Sequence, residues 1–204
     1  MESTPEKIPD SELIRRYREG REDAFTEIVN RYKDPLYGFL RRFLNRQDLV
    51  EDVFQDTFLQ LYTSYDSFDT SRPLRPWLFT IAANKAKDAL RRMQRHSAVN
   101  LGTIADTGES SINDVVNILT SYETTPDQEV SRDETASRVR EIVEDMPENL
   151  RAILLLAYFE QFSYKQMAEI LSIPIGTVKS RLHTAVVQFA RQWKSMNKSE
   201  NADE

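Results

Sequence analysis

The chain has no cysteine, only two histidines and no long apolar run. These absences remove several classes of function at once. Without thiols there is neither a disulfide framework nor a thiolate metal site. His96 and His183 lie far apart in sequence and no carboxylate cluster joins either, so a histidine-based metal centre is not expected. No glycine-rich phosphate loop and no nucleophile motif occurs, which argues against an enzyme and against a bound cofactor. The longest apolar stretch, AILLLAYF at 152–159, falls far short of the roughly 20 residues that span a bilayer. No basic segment leading into an apolar run opens the chain. The expectation is a soluble, cytoplasmic protein that is not inserted in a membrane.

What is present is length enough for one or two small cores, 204 residues at 40% apolar content, and an uneven distribution of charge. Residues 11–96 carry 16 basic against 13 acidic side chains, residues 97–148 carry 3 against 12, and residues 149–198 carry 7 against 2. The net charge of −6 therefore conceals two basic blocks flanking an acidic connector. Such asymmetry suggests two nucleic-acid-facing modules, with a merely solvated surface as the bland alternative.

Periodicity is helical along almost the whole chain, and no strand alternation is evident. Leu13, Ile14 and Tyr17 begin an amphipathic stretch; Ala24, Phe25, Ile28, Val29 and Tyr32 continue it, followed by Leu36, Tyr37, Leu40, Phe43 and Leu44. Gly20 and Pro35 read as punctuation between these helices. A helix over about 48–65 turns Val50, Val53, Phe54, Thr57, Phe58 and Leu61 inward, and DSFDTSRPLRP breaks it. Pro76 suits the first turn of the next helix, which runs to about His96. Residues 97–132 read as a linker by composition, although INDVVNIL within it places Ile112, Val115, Val116 and Leu119 on one face of a short helix that needs a partner surface. Helical pattern resumes near Asp133, breaks at Pro147 and continues to about residue 193. The fold class is all-α, with two small helical domains joined by an acidic linker.

The stretch SYKQMAEILSIPIGTVKSRLHTA, 163–185, carries the clearest chemistry. Ser163 and Gln166 form a capping box, and Tyr164, Met167, Ala168 and Leu171 line one face of a short helix. Ser172 to Pro174 make the turn. The following helix has Ile175, Val178, Leu182, Ala185 and Phe189 as its buried stripe. Gly176, Ser180, His183 and Thr184 point away from that stripe, with Thr177, Lys179 and Arg181 on its flanks. This is a helix-turn-helix whose second helix can enter a major groove, with an ordinary helical hairpin as the alternative. The helix from Pro76 offers a second surface: Leu78, Ile81, Ala82, Ala86, Ala89 and Met93 gather on one side, while Trp77, Thr80, Asn84, Lys87, Asp88, Arg91 and Arg95 gather on the other. A tryptophan, an amide and spaced cations suit a strand whose bases are unstacked.

The motifs AFTEIVNRYKDPLYGFLRRFL, LVEDVFQDTFLQLY, RPWLFTIAANKAKDALRR and MPENLRAILLLAYFEQFSYKQMAEILSIPIGTVKSRLH, in this order and with an acidic linker before the last, resemble the extracytoplasmic-function group of bacterial sigma factors. The resemblance spans residues 10–193. It implies a factor that binds RNA polymerase core and directs promoter recognition and transcription initiation, with sigma region 2 at 10–96, a linker at 97–132 and sigma region 4 at 133–193. Glu51, Asp52, Gln55 and Asp56 match the contact to the coiled coil of the polymerase β′ subunit. The loop DSFDTSRP and the helix after it match the part that captures a flipped non-template base of the minus-10 element, with Trp77 and Asn84 at family-typical positions and Lys87, Arg91, Arg92 and Arg95 following the backbone. Lys179, Ser180, Arg181 and His183 align with minus-35 contacts. The chain departs from the family where further arginines usually follow the histidine, reading HTAVVQFA instead. The acidic linker would thread the RNA path of the polymerase. Partners implied are the core, through its β′ and β subunits, promoter DNA and an anti-sigma factor.

Two other readings stay open at the level of sequence. A helix-turn-helix regulator independent of core polymerase accounts for 163–185 but gives EDVFQDTFLQLY no task. An interaction adaptor accounts for the amphipathic helices but leaves the basic blocks idle.

Overall fold

A computed structural model describes residues 8–94 and 129–200. The INDVVNIL segment and Arg95 lie outside the described residues. Among the described residues the fold is helical throughout.

The first four helices are α1 (Asp10–Arg18), α2 (Glu22–Leu44), α3 (Gln47–Ser64) and α4 (Leu74–Gln94). Gly20 ends α1 at φ +88°, a left-handed geometry in which a side chain would be strained. Pro35 does not punctuate: α2 runs straight through it. An internal proline removes one backbone hydrogen bond, and the loss is outweighed by Tyr32, Leu36, Phe39 and Leu40, which are buried on both sides of it. At the base of this set Leu13, Ile14, Ala24, Ile28, Tyr32, Leu61, Phe68, Leu74 and Leu78 form a core. Asp10 closes it, accepting from the Tyr32 hydroxyl and pairing with Arg31 at 2.6 Å.

The last four helices are α5 (Glu129–Glu144), α6 (Glu148–Leu154), α7 (Tyr164–Leu171) and α8 (Ile175–Glu200). Pro147 precedes α6, where its missing N–H costs nothing. After Leu154 the helix widens into a π turn, Leu155–Phe159. The AILLLAYF run is thus a buried joint, and no described helix is long and apolar enough to cross a membrane.

The two sets share one core, which runs from Leu36, Phe39, Phe43, Phe79 and Ala83 to Ile153, Leu155, Phe162, Met167 and Phe189. Its spine is aromatic: Phe43 stacks on Phe39 at 5.7 Å, Phe39 meets Phe79 at 5.4 Å, and Phe79 meets Phe162 edge-on at 5.0 Å. Pairs in this range add about 0.5–1.5 kcal/mol each beyond their burial. Polar groups fasten the same seam. Arg151 donates to the carbonyls of Phe43 at 2.8 Å, Glu144 at 2.5 Å and Met146 at 3.0 Å, and the Arg42 guanidinium lies 4.6 Å from the Phe159 ring centroid.

Candidate nucleic-acid and polymerase interfaces

The acidic face of α3 follows from a single helical register. Val50, Val53, Thr57 and Leu61 are buried, which leaves Glu51, Asp52, Gln55 and Asp56 exposed on the opposite side. Thr57 is tolerated in the core because its hydroxyl donates back to the Val53 carbonyl at 2.7 Å. Gln47 holds Glu51 at 2.7 Å, and Lys85 of α4 pairs with Asp56 at 3.4 Å. Asp52, Gln55 and Asp56 border an open cleft of about 890 Å³ with Leu49 and Val53 below and Ala89, Arg92 and Met93 of α4 across from them. The arrangement is a shallow apolar trough with an acidic rim.

Along α4 the residues Trp77, Thr80, Asn84, Lys87 and Arg91 recur at three- and four-residue spacing, so they form one stripe about 21 Å long at 1.5 Å per residue. The structure grades them in exposure. Asn84 and Arg91 are exposed, whereas Trp77, Thr80 and Lys87 are half-buried. Trp77 is no free ring: it packs on Phe68 at 4.9 Å. Trp77 and Thr80 share a pocket of about 280 Å³ with Ser67, Phe68, Asp69, Arg72, Pro73 and Pro76, together with Glu169 from α7. Asp69 shapes the loop by accepting from the backbone N–H and hydroxyl of Ser71, which hold its carboxyl below the usual range. Asn84 stands outside this pocket. Lys87 sits where the two sets of helices meet. Burial pushes its ammonium down, Arg91 and Arg181 add to that, and Glu148 opposes it. Burial in turn pushes the Glu148 carboxyl up.

The helix-turn-helix forms as its local chemistry dictates. The capping box is complete, with Gln166 N–H donating to Ser163 Oγ at 3.3 Å and Ser163 N–H donating to Gln166 Oε1 at 2.9 Å. Ser172 takes the left-handed conformation, φ 53°, and the N–H groups of Ser172 and Ile173 return to the Glu169 and Ala168 carbonyls, which ends α7 abruptly. On α8, Val178, Leu182, Ala185, Val186 and Phe189 are buried, while Lys179, Ser180, His183 and Thr184 are exposed and Thr177 and Arg181 are half-buried. Ser180 and Thr184 donate to carbonyls one turn back, so their oxygens remain free to accept.

Two expected core positions are wrong. Tyr164 and Ile175 are both 46% exposed, and Ile170 is buried instead. Each misplaced residue is the first of its helix, where the backbone has only just entered helical geometry and a wheel assigns direction poorly. Val186, where the family usually continues its arginines, is buried, so that position faces the core rather than a phosphate. Sequence reasoning also missed Phe39 and Phe79, Arg75, Arg151 and Glu160. Glu160 gave a signal: a lone acid enclosed by AYF and QF.

A profile for Sigma-70 region 2 matches residues 28–96, and one for Sigma-70 region 4 matches residues 136–188. The ECF RNA polymerase sigma-E factor of Haemophilus influenzae is 33% identical over 180 residues, covering 88% of this chain and 93% of that protein. The ECF RNA polymerase sigma factor SigW of Bacillus subtilis is 28% identical over 183 residues, covering 90% and 96%. Among solved structures, CnrH in complex with the cytosolic domain of CnrY is similar at a TM-score of 0.65 and 24% identity over 91% of this chain and 97% of that one. The sigma factor RpoE in complex with the anti-sigma factor NepR from Bartonella quintana is similar at 0.61 and 22% identity, over 83% and 96%. Both structural likenesses concern the fold.

The protein is a helical, promoter-directed transcription initiation factor of the sigma-70 type. Within that class, the chain belongs to the extracytoplasmic-function sigma factors, which bind RNA polymerase core and direct initiation at promoters.

Proposed function

We propose that three surfaces divide this task. Glu51, Asp52, Gln55 and Asp56 seat the chain on the basic coiled coil of the β′ subunit, with the β subunit completing the contact to the core. The α4 stripe of Trp77, Thr80, Asn84, Lys87 and Arg91, extended by Arg95, takes the unstacked non-template strand of the minus-10 element. The outer face of α8, Thr177, Lys179, Ser180, Arg181, His183 and Thr184, reads the minus-35 duplex in the major groove. The observation that carries this reading is the pocket beside Trp77 and Thr80, which opens at the head of a cationic stripe. A base entering it stacks and hydrogen-bonds at one end of a track that attracts the backbone.

On this reading region 2 occupies 10–96, region 4 occupies 133–193 and the acidic 97–132 segment links them. The chain supplies recognition and leaves catalysis to the polymerase, works in the cytoplasm, and takes an anti-sigma factor as a regulatory partner. The acidic face of α3 is what sets it apart from a helix-turn-helix regulator that acts without core. The test is a pull-down with core polymerase followed by run-off transcription on a promoter library. Asp52→Lys with Asp56→Lys should abolish core association with helicity intact; unchanged affinity for core overturns the α3 assignment.

A further inference from the structure

Two charged pairs tie the last four helices to the start of α4. Both set a carboxylate of the last four helices against an arginine beside the Trp77–Thr80 pocket. Arg75, in the first turn of α4, donates to Oε2 of Glu160 at 2.8 Å and to its backbone carbonyl at 2.9 Å. Glu160 is only 4% exposed, a depth at which a carboxylate needs a counter-charge. The Arg75 guanidinium also lies 4.4 Å from the Phe162 ring centroid and 5.3 Å from that of Phe79, a stacking specific to arginine. Nearby, Arg72 faces the carboxylate of Glu169 on α7 at 3.9 Å. Glu169 is the one described residue of the last four helices that lines the Trp77–Thr80 pocket.

This packing cannot read two promoter elements together. Positions ten and thirty-five lie about 25 base pairs apart, about 85 Å along the duplex at 3.4 Å per pair. Here α7 lies along α4, and Arg181 of α8 is near enough to Lys87 for its charge to weigh on that ammonium. The two sets of helices must separate before both elements are engaged.

We propose that the packed arrangement is a self-inhibited resting form, in which the Arg75–Glu160 pair latches the helix-turn-helix set onto α4 and Glu169 stands at the mouth of the base pocket in place of a strand phosphate. The proposal rests on the assignment of Trp77 and Thr80 to the unstacked strand. Because Glu160 and Glu169 belong to the same set of helices, one opening motion withdraws both carboxylates and frees Arg72 and Arg75 toward the strand. The strengths differ. The Arg72–Glu169 pair is long and exposed, so it obstructs without holding. The buried Arg75–Glu160 pair holds. Lys87, Arg91 and Arg181 crowd like charges at the same junction with Glu148 among them, which favours opening once the latch is released.

The absence of cysteine allows Ser11→Cys on α1 and Lys194→Cys on α8, both exposed, to carry a donor and acceptor dye in the full chain. Two quantities are read without polymerase: the separation of the dyes, and the affinity for short single-stranded DNA of randomised sequence at fixed salt. Glu160→Ala should lengthen the separation and tighten DNA binding about tenfold or more, since breaking a buried pair shifts a two-state equilibrium by at least that much. Arg75→Ala should lengthen it equally, and the double variant no further. Glu169→Gln should leave the separation unchanged and tighten DNA binding about two- to fivefold. An unchanged separation in helical variants overturns the latch; a lengthened separation with unchanged DNA affinity overturns self-inhibition. Should Glu160→Ala lose helicity, the isosteric Glu160→Gln decides by the same two readings. Adding Trp77→Ala to the opened variant tests the underlying assignment. If DNA affinity is undiminished, the pocket is not the strand site and the mimicry fails, while the dye separation still judges the latch.

Discussion

Arg151 offers the sharpest test of how the two sets of helices are held together. Its guanidinium donates three hydrogen bonds, to the carbonyls of Phe43, Glu144 and Met146. Phe43 lies in the last turn of α2 and Glu144 is the last residue of α5, so one cation faces the negative ends of two helices, each interaction contributing about 0.3–1 kcal/mol and more where partly buried. Three bonds from a charged donor, at about 1.5–3 kcal/mol each, would sum to more than the site returns. Burial pushes the Arg151 guanidinium down, and its Nε is buried without a partner; both subtract. A net loss of about 3 kcal/mol is expected for Arg151→Met, which keeps the apolar stem but strands the carbonyls. Arg151→Lys keeps the charge and reaches only part of the carbonyl set, so its cost should be intermediate. Urea unfolding followed by circular dichroism measures both. If Met and Lys cost the same, or if Met costs less than about 1 kcal/mol, the three carbonyls are not what Arg151 stabilises and the reasoning fails.

Ser163→Ala should cost about 0.5–2 kcal/mol in the same assay, because it removes the acceptor for the Gln166 N–H at the start of α7. Arg181→Ala or Lys179→Ala should weaken minus-35 duplex binding by about 1–3 kcal/mol if a base edge is read, and evenly across sequences if phosphate is touched; equal binding of variant and parent to matched and scrambled duplexes excludes both. Lys87→Met should stabilise the packed form while weakening minus-10 strand binding, since burial depresses the folded lysine's pKa. The charged form is then disfavoured in the fold below the folded pKa and the penalty disappears above the unfolded value, so the gain should be present at pH 7 and gone above about pH 10.4.

Most of the helices, and the cap, turn and outer face of the helix-turn-helix, are legible in sequence because their determinants are local. The Ser163–Gln166 pair, the Ser172–Pro174 turn and the 3.6-residue stripes of α3 and α8 all act within a few residues. What escaped was set at long range. Phe39, Phe79 and Ala83 are buried because another set of helices covers them, and a wheel assigns a core face without knowing that a second one will be covered. Pro35 looks like a break in sequence because its local cost is visible, whereas the burial of Leu36 and Phe39 that offsets it is tertiary. Arg75 and Glu160 are 85 residues apart, and no periodicity connects them.

The same division explains which parts of the candidate site were readable. Outward-facing residues such as Asp52, Asn84 and His183 leave a trace in sequence because exposed polar residues must interrupt an apolar pattern. Contacts made inward between the two sets of helices leave almost none, since a buried arginine on a helix looks like any surface cation until its partner is known. Glu160 is the exception. An acid that folds to 4% exposure within a run of aromatic and aliphatic neighbours has no solvent to favour its charge, and the cation it must find can come only from elsewhere in the fold. A single carboxylate in an apolar run is therefore a sequence-level pointer to a long-range joint, and in this chain it points to Arg75 at the start of α4.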